Sequence, residues 1–347
     1  MKTTLLTPET DENAVKTAAE LIRAGEVVGM PTETVYGLAA NALNGEAVKK
    51  IFLAKGRPQD NPLIVHIADF DQIYDLCPAV PPQAKLLADA FWPGPLTMIF
   101  PKKDIVPYGT TGGLDTVAVR MPVDPVANCL IHLAGVPIAA PSANTSGRPS
   151  PTKAEHVIED MDGKIEMIID GGAVGIGVES TIVDVSGEIP TLLRPGAITI
   201  EMLRETLGQV DIDPVILGPV SGDIKPKAPG MKYRHYAPKA DMTLVEGDMD
   251  KVVAYINEQT KKAEAEGKKV GIICTEESRD MYQGGNLEVI GSREHEETVA
   301  HNLFAVLRDF DARKVNCIFS ESFSKDQLGQ AIMNRLCKAA GYHIVNV

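Results

Sequence analysis

The stretch KGRPQDNPLIVHI, residues 55–67, joins a charged, proline-rich loop to an apolar run that predicts a buried strand. Pro58 and Pro62 stiffen the loop. Lys55 and Arg57 stand two residues apart, so in an extended chain both cations project to the same side. They repel each other unless an anion lies between them, and Arg57 is suited to bind phosphate oxygens in a bidentate manner. The stretch therefore predicts an anion-binding loop, with an ordinary exposed basic loop as the alternative.

The segments on either side of this stretch predict a mixed α/β domain that continues to about residue 205. Strand-like and helical runs follow each other without strict alternation. Strands are expected at 27–30, 63–67, 96–100, 116–121, 137–141, 166–170 and 180–185, and helices at 10–24, 45–54, 82–91, 124–134 and 152–161.

From residue 241 onward, strand and helix patterns alternate regularly, which is typical of a smaller, Rossmann-like, doubly wound parallel sheet. A helix expected at 295–312 has one apolar stripe that predicts core packing: Val299, Leu303, Val306, Leu307 and Phe310. The sequence SKDQ, 324–327, predicts a capping box at the start of the last helix.

The connection between these two parts is unusually basic. Residues 224–240, IKPKAPGMKYRHYAPKA, contain five Lys or Arg, one His, three Pro and no acidic residue. A solvated connector stiffened by proline is one interpretation. The two tyrosines among the cations favour another, a segment that folds over a ligand as a lid. We therefore expect a first domain at 1–215, a basic linker at 216–240 and a C-terminal domain at 241–347.

The composition of the chain argues against several classes of protein. Its 347 residues carry a formal net charge of −13, which argues against broad binding to nucleic acid but allows a small anion in a locally basic pocket. The five cysteines are widely spread and include no CxxC pair, so neither a disulfide framework nor a zinc site is indicated. No segment has the pattern of a membrane span or a signal peptide. We expect a cytoplasmic protein without membrane contact.

Polar clusters after predicted strands are the remaining candidates for chemistry. The sequence contains no GxxxxGK[ST] phosphate loop, no HExxH zinc motif and no GxSxG elbow. The glycine-rich residues 171–181 predict a tight turn. The loop at 140–152 supplies hydroxyl and amide groups, and its Ser150-Pro151-Thr152 segment is also expected to cap the following helix. Together with Lys55, Arg57 and the linker, the strand-end arginines Arg120 and Arg194 indicate a pocket for an anion of triphosphate size.

Six ordered motifs resemble those of the YrdC-like threonylcarbamoyl-AMP synthases. They are PTETVYGLAANA (31–42), KGRPQDNPLIVHI (55–67), WPGPLTMIF (92–100), APSANTSGRPSPT (140–152), ESTIVDV (179–185) and LLRPGAI (192–198). The linker and the C-terminal domain resemble the long, two-domain form of that enzyme, so the resemblance covers essentially the whole chain. It implies a YrdC-like twisted, mixed or parallel sheet around a concave, positively charged surface.

The resemblance also implies a reaction and its partners. L-threonine, bicarbonate or CO2, and ATP with Mg²⁺ as cofactor give threonylcarbamoyl-AMP and pyrophosphate, which is the work of a nucleotidyltransferase. The product passes to a tRNA threonylcarbamoyl transferase complex that modifies the adenosine next to the anticodon, and tRNA contact is expected to be weak or indirect. An RNA-binding module of the same fold is one alternative. An enzyme that adenylates another amine, such as serine, is a second, because one methyl group is worth only about 1–3 kcal/mol in a pocket.

Site residues follow from the resemblance by position in the motifs. The catalytic group around the phosphates is Lys55, Arg57, Ser142 and Asn144. The ATP contacts are Arg57, Asn61, Thr116, Ser142, Ser150, Arg194, His235 and Tyr236. The threonine pocket is Thr34, His66, Arg120, Ala140 (through its backbone) and Ser180, in which Arg120 holds the carboxylate. No metal ligand is firmly assigned to the protein.

Overall fold

The computed structural model describes residues 2–8, 11, 13–216, 218, 228–229 and 235–347. The chain divides into two compact units, Met1–Ser146 with Ser150–Tyr233, and Gly147–Pro149 with Arg234–Val347. Most of the linker expected at 216–240 lies outside the described residues. Its role as a lid and the domain boundaries at 215 and 240 therefore stay predictions.

The first unit is built on one large mixed sheet. Its described strands are β1 (Thr4–Leu6), β2 (Val28–Met30), β3 (Gly37–Asn41), β4 (Ile64–His66), β5 (Leu96–Pro101), β6 (Thr116–Arg120), β7 (Ile138–Ala139), β8 (Met167–Ile169), β9 (Thr181–Asp184), β10 (Thr191–Arg194) and β11 (Asp211–Ile212). Its described helices are α1 (Ala14–Arg23), α2 (Gly45–Lys55), α3 (Ile73–Leu76), α4 (Pro82–Phe91), α5 (Tyr108–Thr111), α6 (Pro125–Ala134), α7 (Ala154–Met161) and α8 (Ile200–Leu207). The strands lie in the order β1-β8-β2-β3-β7-β4-β6-β5-β9-β10-β11.

Alternation along the central strands separates two different faces of this sheet. One face carries residues such as Val65, Val117 and Val119, which belong to a large core that also contains Ile51 of α2 and Leu87 of α4. The other face carries a smaller apolar cluster of Ile64, Ile99, Ala118, Ile182, Leu193 and Ala228. We call this second cluster the floor, because the candidate site is arranged around it.

The end of α2 corrects the expectation that Lys55 and Arg57 belong to one extended segment. Lys55 is the last residue of the helix, and Gly56 follows with a left-handed φ of 66°. The Gly56 N–H bonds to Leu53 O at 3.1 Å and the Arg57 N–H to Phe52 O at 3.1 Å. Glycine adopts this conformation at little steric cost, so the helix ends in a Schellman-type turn that separates the two cations.

The second unit confirms the expected doubly wound α/β fold. Its strands are β12 (Asp241–Glu246), β13 (Val270–Cys274), β14 (Asn286–Val289), β15 (Cys317–Glu321) and β16 (Ile344–Asn346), and its helices are α9 (Met249–Ala265), α10 (Glu296–Arg313) and α11 (Gln327–Ala339). Its strands lie in the order β14-β13-β15-β12-β16, and every strand pair is parallel. The apolar stripe of α10 is buried, as the sequence predicts.

Two capping expectations are wrong. The helix α11 begins at Gln327 after Asp326, and no side chain caps it; the Ser324 hydroxyl accepts the Asp326 N–H at 3.1 Å instead. The helix α7 begins at Ala154 after Lys153, and no side chain caps it, so the Ser150-Pro151-Thr152 segment does not cap this helix. In both cases the serine hydroxyl bonds to a different group, the Asp326 N–H for Ser324 and the Glu179 carboxylate for Ser150.

Local patterns also do not predict β1, β3 or α8. The strand β3 has the sequence GLAAN, which contains no β-branched or aromatic residue and so has weak strand propensity. It becomes a strand because β2 and β7 pair with it on both sides. In the part of the chain that the structure describes, no helix is long and apolar enough to cross a membrane.

Candidate active site

Polar side chains surround the floor on one face of the large sheet. On β6, Thr116, Ala118 and Arg120 alternate with core residues and therefore project to this face. His66 pairs with Arg120 across the β4–β6 ladder, and Ile64 pairs with Ala118. The strand pairing thus brings His66 and Arg120 together at one end of the floor and leaves Thr116 at the other.

Arg120 is buried, with 4% of it exposed, and several groups hold its guanidinium. Its Nη1 donates to Thr34 Oγ1 at 2.9 Å, and its Nε reaches Gly94 O at 3.4 Å. Its Nη2 lies 2.6 Å from Glu33 Oε1. Thr34 is held in turn by Thr32, whose hydroxyl lies 3.0 Å from the Thr34 hydroxyl. The loop after β2 therefore fixes a guanidinium group at the edge of the floor.

His66 is buried beside this arginine and is neutral at physiological pH. Its Nδ1 lies 3.2 Å from Ile64 O. Burial, with the positive charge of Arg120 as a second cause, lowers the pKa of His66 from 6.5 to about 3. The imidazole can contact a ligand through its ring without adding a second positive charge to the pocket.

Acidification is expected to destabilise the fold through His66. Between pH 6.5 and about 3 the unfolded chain binds a proton at this residue that the folded chain does not, so stability falls as the pH falls through that window. The loss is about 1.4 kcal/mol per pH unit, or about 2 kcal/mol at pH 5. Urea unfolding of wild type and His66→Gln at pH 7.5 and 5 measures it. The same pH dependence in both proteins would contradict a buried neutral imidazole.

Ser180 and Arg194 meet at the same end of the floor. The Arg194 Nη2 donates to Ser180 Oγ at 3.1 Å and its Nε to Ser180 O at 3.0 Å. The Ser180 hydroxyl also lies 2.8 Å from Thr97 Oγ1, and Thr97 pairs with Arg120 across β5 and β6. Ala140, at the end of β7, is held by its N–H to Ile64 O at 3.0 Å. The threonine-pocket residues expected from the sequence are thus all on neighbouring elements.

Lys55 holds the loop that follows β7. With 1% of its side chain exposed, its ammonium group donates to Asn144 O at 2.7 Å and to Ser142 O. The Ser142 hydroxyl donates to Asn144 Oδ1 at 2.6 Å, and the Ser146 N–H bonds back to Lys55 O at 3.0 Å. The structure therefore brings together three of the four residues of the expected catalytic group and gives Lys55 a positioning contact with the loop backbone.

Asn61 is the clearest sign of a site for a polar ligand. The residue is fully buried, and neither its Oδ1 nor its Nδ2 has a hydrogen-bond partner. An unpaired buried amide is costly, so such a group calls for a functional explanation. Arg57 lies nearby in the chain, with its guanidinium 5.3 Å from the ring centre of Phe52. The Ser150 hydroxyl donates to Glu179 Oε1 at 2.5 Å.

Comparisons with known proteins identify this arrangement. Residues 20–196 match the Sua5/YciO/YrdC family model, which is described as telomere recombination, and residues 198–341 match the model described as threonylcarbamoyl-AMP synthase, C-terminal domain. A threonylcarbamoyl-AMP synthase from Pyrococcus abyssi is 52% identical over 97% of both chains. The chain belongs to the threonylcarbamoyl-AMP synthase family.

Other relatives of the threonylcarbamoyl-AMP synthase family agree over the full length. The Bacillus subtilis enzyme of that name is 50% identical over 97% of this chain and 95% of its own. A crystal structure of P. abyssi Sua5 complexed with L-threonine superposes with a TM-score of 0.93 at 49% identity and covers 100% of both chains. The predicted family, the two-part α/β fold and the enzymatic class of nucleotidyltransferase are therefore confirmed.

The roles given to individual residues of this threonylcarbamoyl-AMP synthase stay predictions. His235 and Tyr236 belong to the second unit, where the Tyr236 ring centre lies 5.1 Å from that of Phe304. Sequence reasoning missed Glu33 and Thr97, which contact Arg120 or Ser180 in the structure. Glu33 stands between the motif residues Thr32 and Thr34, and this position was the only signal that could have found it.

Proposed function

We propose that this chain makes threonylcarbamoyl-AMP and pyrophosphate from L-threonine, bicarbonate or CO2, and ATP. Full-length relatives that are threonylcarbamoyl-AMP synthases support the proposal, as does the similar P. abyssi structure complexed with L-threonine. The observation that carries it is the buried Arg120, fixed by Thr34 beside a neutral His66. A fixed guanidinium is the group that binds an amino-acid carboxylate in a bidentate manner.

Threonine would lie at the Arg120 end of the floor. Its carboxylate pairs with Arg120, and its side chain is expected to contact Thr34, His66 and Ser180. The carbonyl or N–H of Ala140 completes the pocket from β7. Apolar floor residues next to these groups suit the methyl group of threonine.

The triphosphate would lie against the other polar residues around the floor. Lys55, Arg57 and Arg194 supply positive charge, while Ser142, Asn144, Asn61, Thr116 and Ser150 supply hydroxyl and amide groups. The described residues contain no group of three or more His, Cys, Asp or Glu side chains placed to hold a metal ion. Mg²⁺ is proposed to bind mainly through the phosphates, where it would neutralise charge.

The chemistry needs alignment more than a protein nucleophile. The threonine ammonium group first gives up one proton to solvent; the free amine then attacks the carbon of CO2 and gives up a second proton, which leaves a carbamate with one N–H. A carbamate oxygen then attacks the α-phosphorus of ATP, the bond from that phosphorus to the bridging oxygen breaks, and pyrophosphate leaves. Positioning and charge neutralisation are the main contributions a protein makes to such a displacement. The buried cations of this pocket are suited to that task.

The linker is proposed to cover the bound substrates. Two of its described residues support this: Ala228 is buried in the floor cluster, and Pro229 O accepts the Arg194 Nη1 at 3.4 Å. A covered site would protect the carbamate and the mixed anhydride from water. Residues 217, 219–227 and 230–234 of the proposed lid lie outside the described residues. Loss of turnover on deletion of 224–347 from a chain that stays folded would support the lid, and unchanged turnover would refute it.

Asn61→Leu is expected to raise stability and lower ATP affinity together. Leucine has a similar shape and removes two unsatisfied polar atoms, so the ligand-free protein should gain about 1 kcal/mol or more of unfolding free energy. ATP should bind about ten-fold more weakly because it loses an amide partner. Urea unfolding and calorimetric titration measure the two effects. In contrast, Asn44→Leu removes a helix cap that accepts two N–H groups and should destabilise the protein by about 1 kcal/mol.

Pyrophosphate release from ATP and Mg²⁺ tests the proposed function directly. Release that requires both threonine and bicarbonate supports it. Release with threonine alone in CO2-free buffer would indicate direct amino-acid activation, and a preference for serine would redirect the substrate assignment. No release from folded protein, with salt-dependent tRNA binding, would favour the RNA-binding alternative. A cytoplasmic location and transfer of the product to a tRNA-modifying complex remain part of the proposal.

A further inference from the structure

Glu33 is a carboxylate beside Arg120 that has no role among the site residues expected from the sequence. It lies in the turn after β2, and 11% of its side chain is exposed. Both carboxylate oxygens are buried, and neither has a hydrogen-bond partner. Arg120 Nη2 lies 2.6 Å from Oε1, but the contact is an ion pair without the geometry of a directed hydrogen bond. Arg120 therefore neutralises the charge of the Glu33 carboxylate, while both carboxylate oxygens can still accept hydrogen bonds.

Such a group is complementary to an ammonium ion. An ionised carboxylate accepts up to about four hydrogen bonds, and an ammonium group offers three N–H donors. Leaving both oxygens without donors costs free energy that a bound ammonium would recover. Because Arg120 is adjacent, the two side chains present one negative and one positive group to the same space.

We propose that Glu33 binds the α-ammonium group of the amino-acid substrate while Arg120 binds its carboxylate. The inference rests on the proposed function and adds a residue to it. The substrate zwitterion enters between Glu33 and Arg120. It replaces their single ion pair with two, ammonium to Glu33 and carboxylate to Arg120. No unpaired charge is buried before or after binding, which avoids the large penalty of an isolated buried charge.

The other charged or titratable groups nearby are not available for this role. Asp124 is committed to the start of α6, where its Oδ1 accepts the N–H groups of Val126 and Ala127, each at 2.9 Å. His66 is neutral and directs its Nδ1 to a backbone carbonyl. Glu33 is the carboxylate in direct contact with the proposed carboxylate-binding arginine.

The proposal makes opposite predictions for two kinds of ligand. A ligand that carries both an ammonium and a carboxylate gains a partner from Glu33. If the ligand has a hydroxyl in place of the ammonium group, its carboxylate competes with the Glu33 carboxylate for Arg120 and gains no charged partner from Glu33. The sign of the effect of one substitution should therefore depend on the ligand.

Calorimetric titration of the full chain with L-threonine and with 2,3-dihydroxybutanoate is the test. In Glu33→Gln, threonine is expected to bind about 10- to 100-fold more weakly, because a charge-assisted contact is lost. The hydroxy acid is expected to bind a few-fold more tightly. The control Glu46→Gln changes a carboxylate that is 79% exposed and should alter neither affinity.

Each other outcome overturns the inference in a distinct way. Equal weakening of both ligands would mean that Glu33 only orients Arg120, and tighter threonine binding would make Glu33 a simple counter-ion. If Glu33→Gln does not fold, Glu33→Asp keeps the charge at a shorter reach, and unchanged threonine affinity in that variant would refute a direct contact. Failure of the wild type to bind threonine would refute the proposed function itself. If the wild type binds threonine but Glu33→Gln does not change the two affinities in opposite directions, only the role of Glu33 is refuted.

Discussion

Arg120→Ala is expected to reduce threonine-dependent pyrophosphate release by about a thousand-fold, because the proposed carboxylate partner disappears from a desolvated site. It should also destabilise the fold by about 3–5 kcal/mol, since Glu33 becomes a buried charge without a counter-ion. Initial-rate assays and urea unfolding measure the two effects.

A double variant separates these effects. Arg120→Ala with Glu33→Gln removes both charges, so most of the lost stability should return while the activity should not. Recovery of activity in the double variant would show that Arg120 matters only for folding. Near-normal activity of Arg120→Ala would show that Arg120 does not bind the substrate carboxylate.

Lys55→Met is expected to give the second largest effect. Methionine keeps the length of the side chain but leaves the carbonyl groups of Ser142 and Asn144 without their charged donor in a buried site. We expect a loss of about 3 kcal/mol in unfolding free energy and about a hundred-fold loss of activity, because the loop with its hydroxyl and amide groups shifts. Thermal unfolding and ATP-dependent initial rates measure both.

The same helix offers a matched control for this prediction. Lys49 is 55% exposed and pairs with Glu46 across one turn of α2. Lys49→Met should change stability by less than about 1 kcal/mol and leave activity as it is. If both lysine variants behave alike, the buried contacts of Lys55 with the loop do not have the proposed importance.

Local chemistry predicts most elements of this fold. The helix α4 begins and ends where apolar spacing and Pro82 predict, at residues 82 and 91. The buried stripe of α10 and the strand–helix alternation of the second unit are also predicted correctly, because both follow from the spacing of apolar residues close together in sequence. Local patterns do not predict β3, because its weak strand propensity is overridden by pairing with β2 and β7. They also place Lys55 and Arg57 in one extended segment, whereas α2 continues through Lys55 and ends at the Gly56 turn.

For the candidate site, too, the sequence predicts some features and only the tertiary structure shows others. Charged and polar residues in six motifs identify the family from the sequence alone, since the resemblance needs only their order and spacing, and they predict the residues of its pocket. The sequence does not say that Lys55 faces a loop 87 residues away, or that Glu33 pairs with an arginine on β6. Ion pairs and buried hydrogen bonds of this kind depend on which strands become neighbours, so the tertiary structure alone decides them.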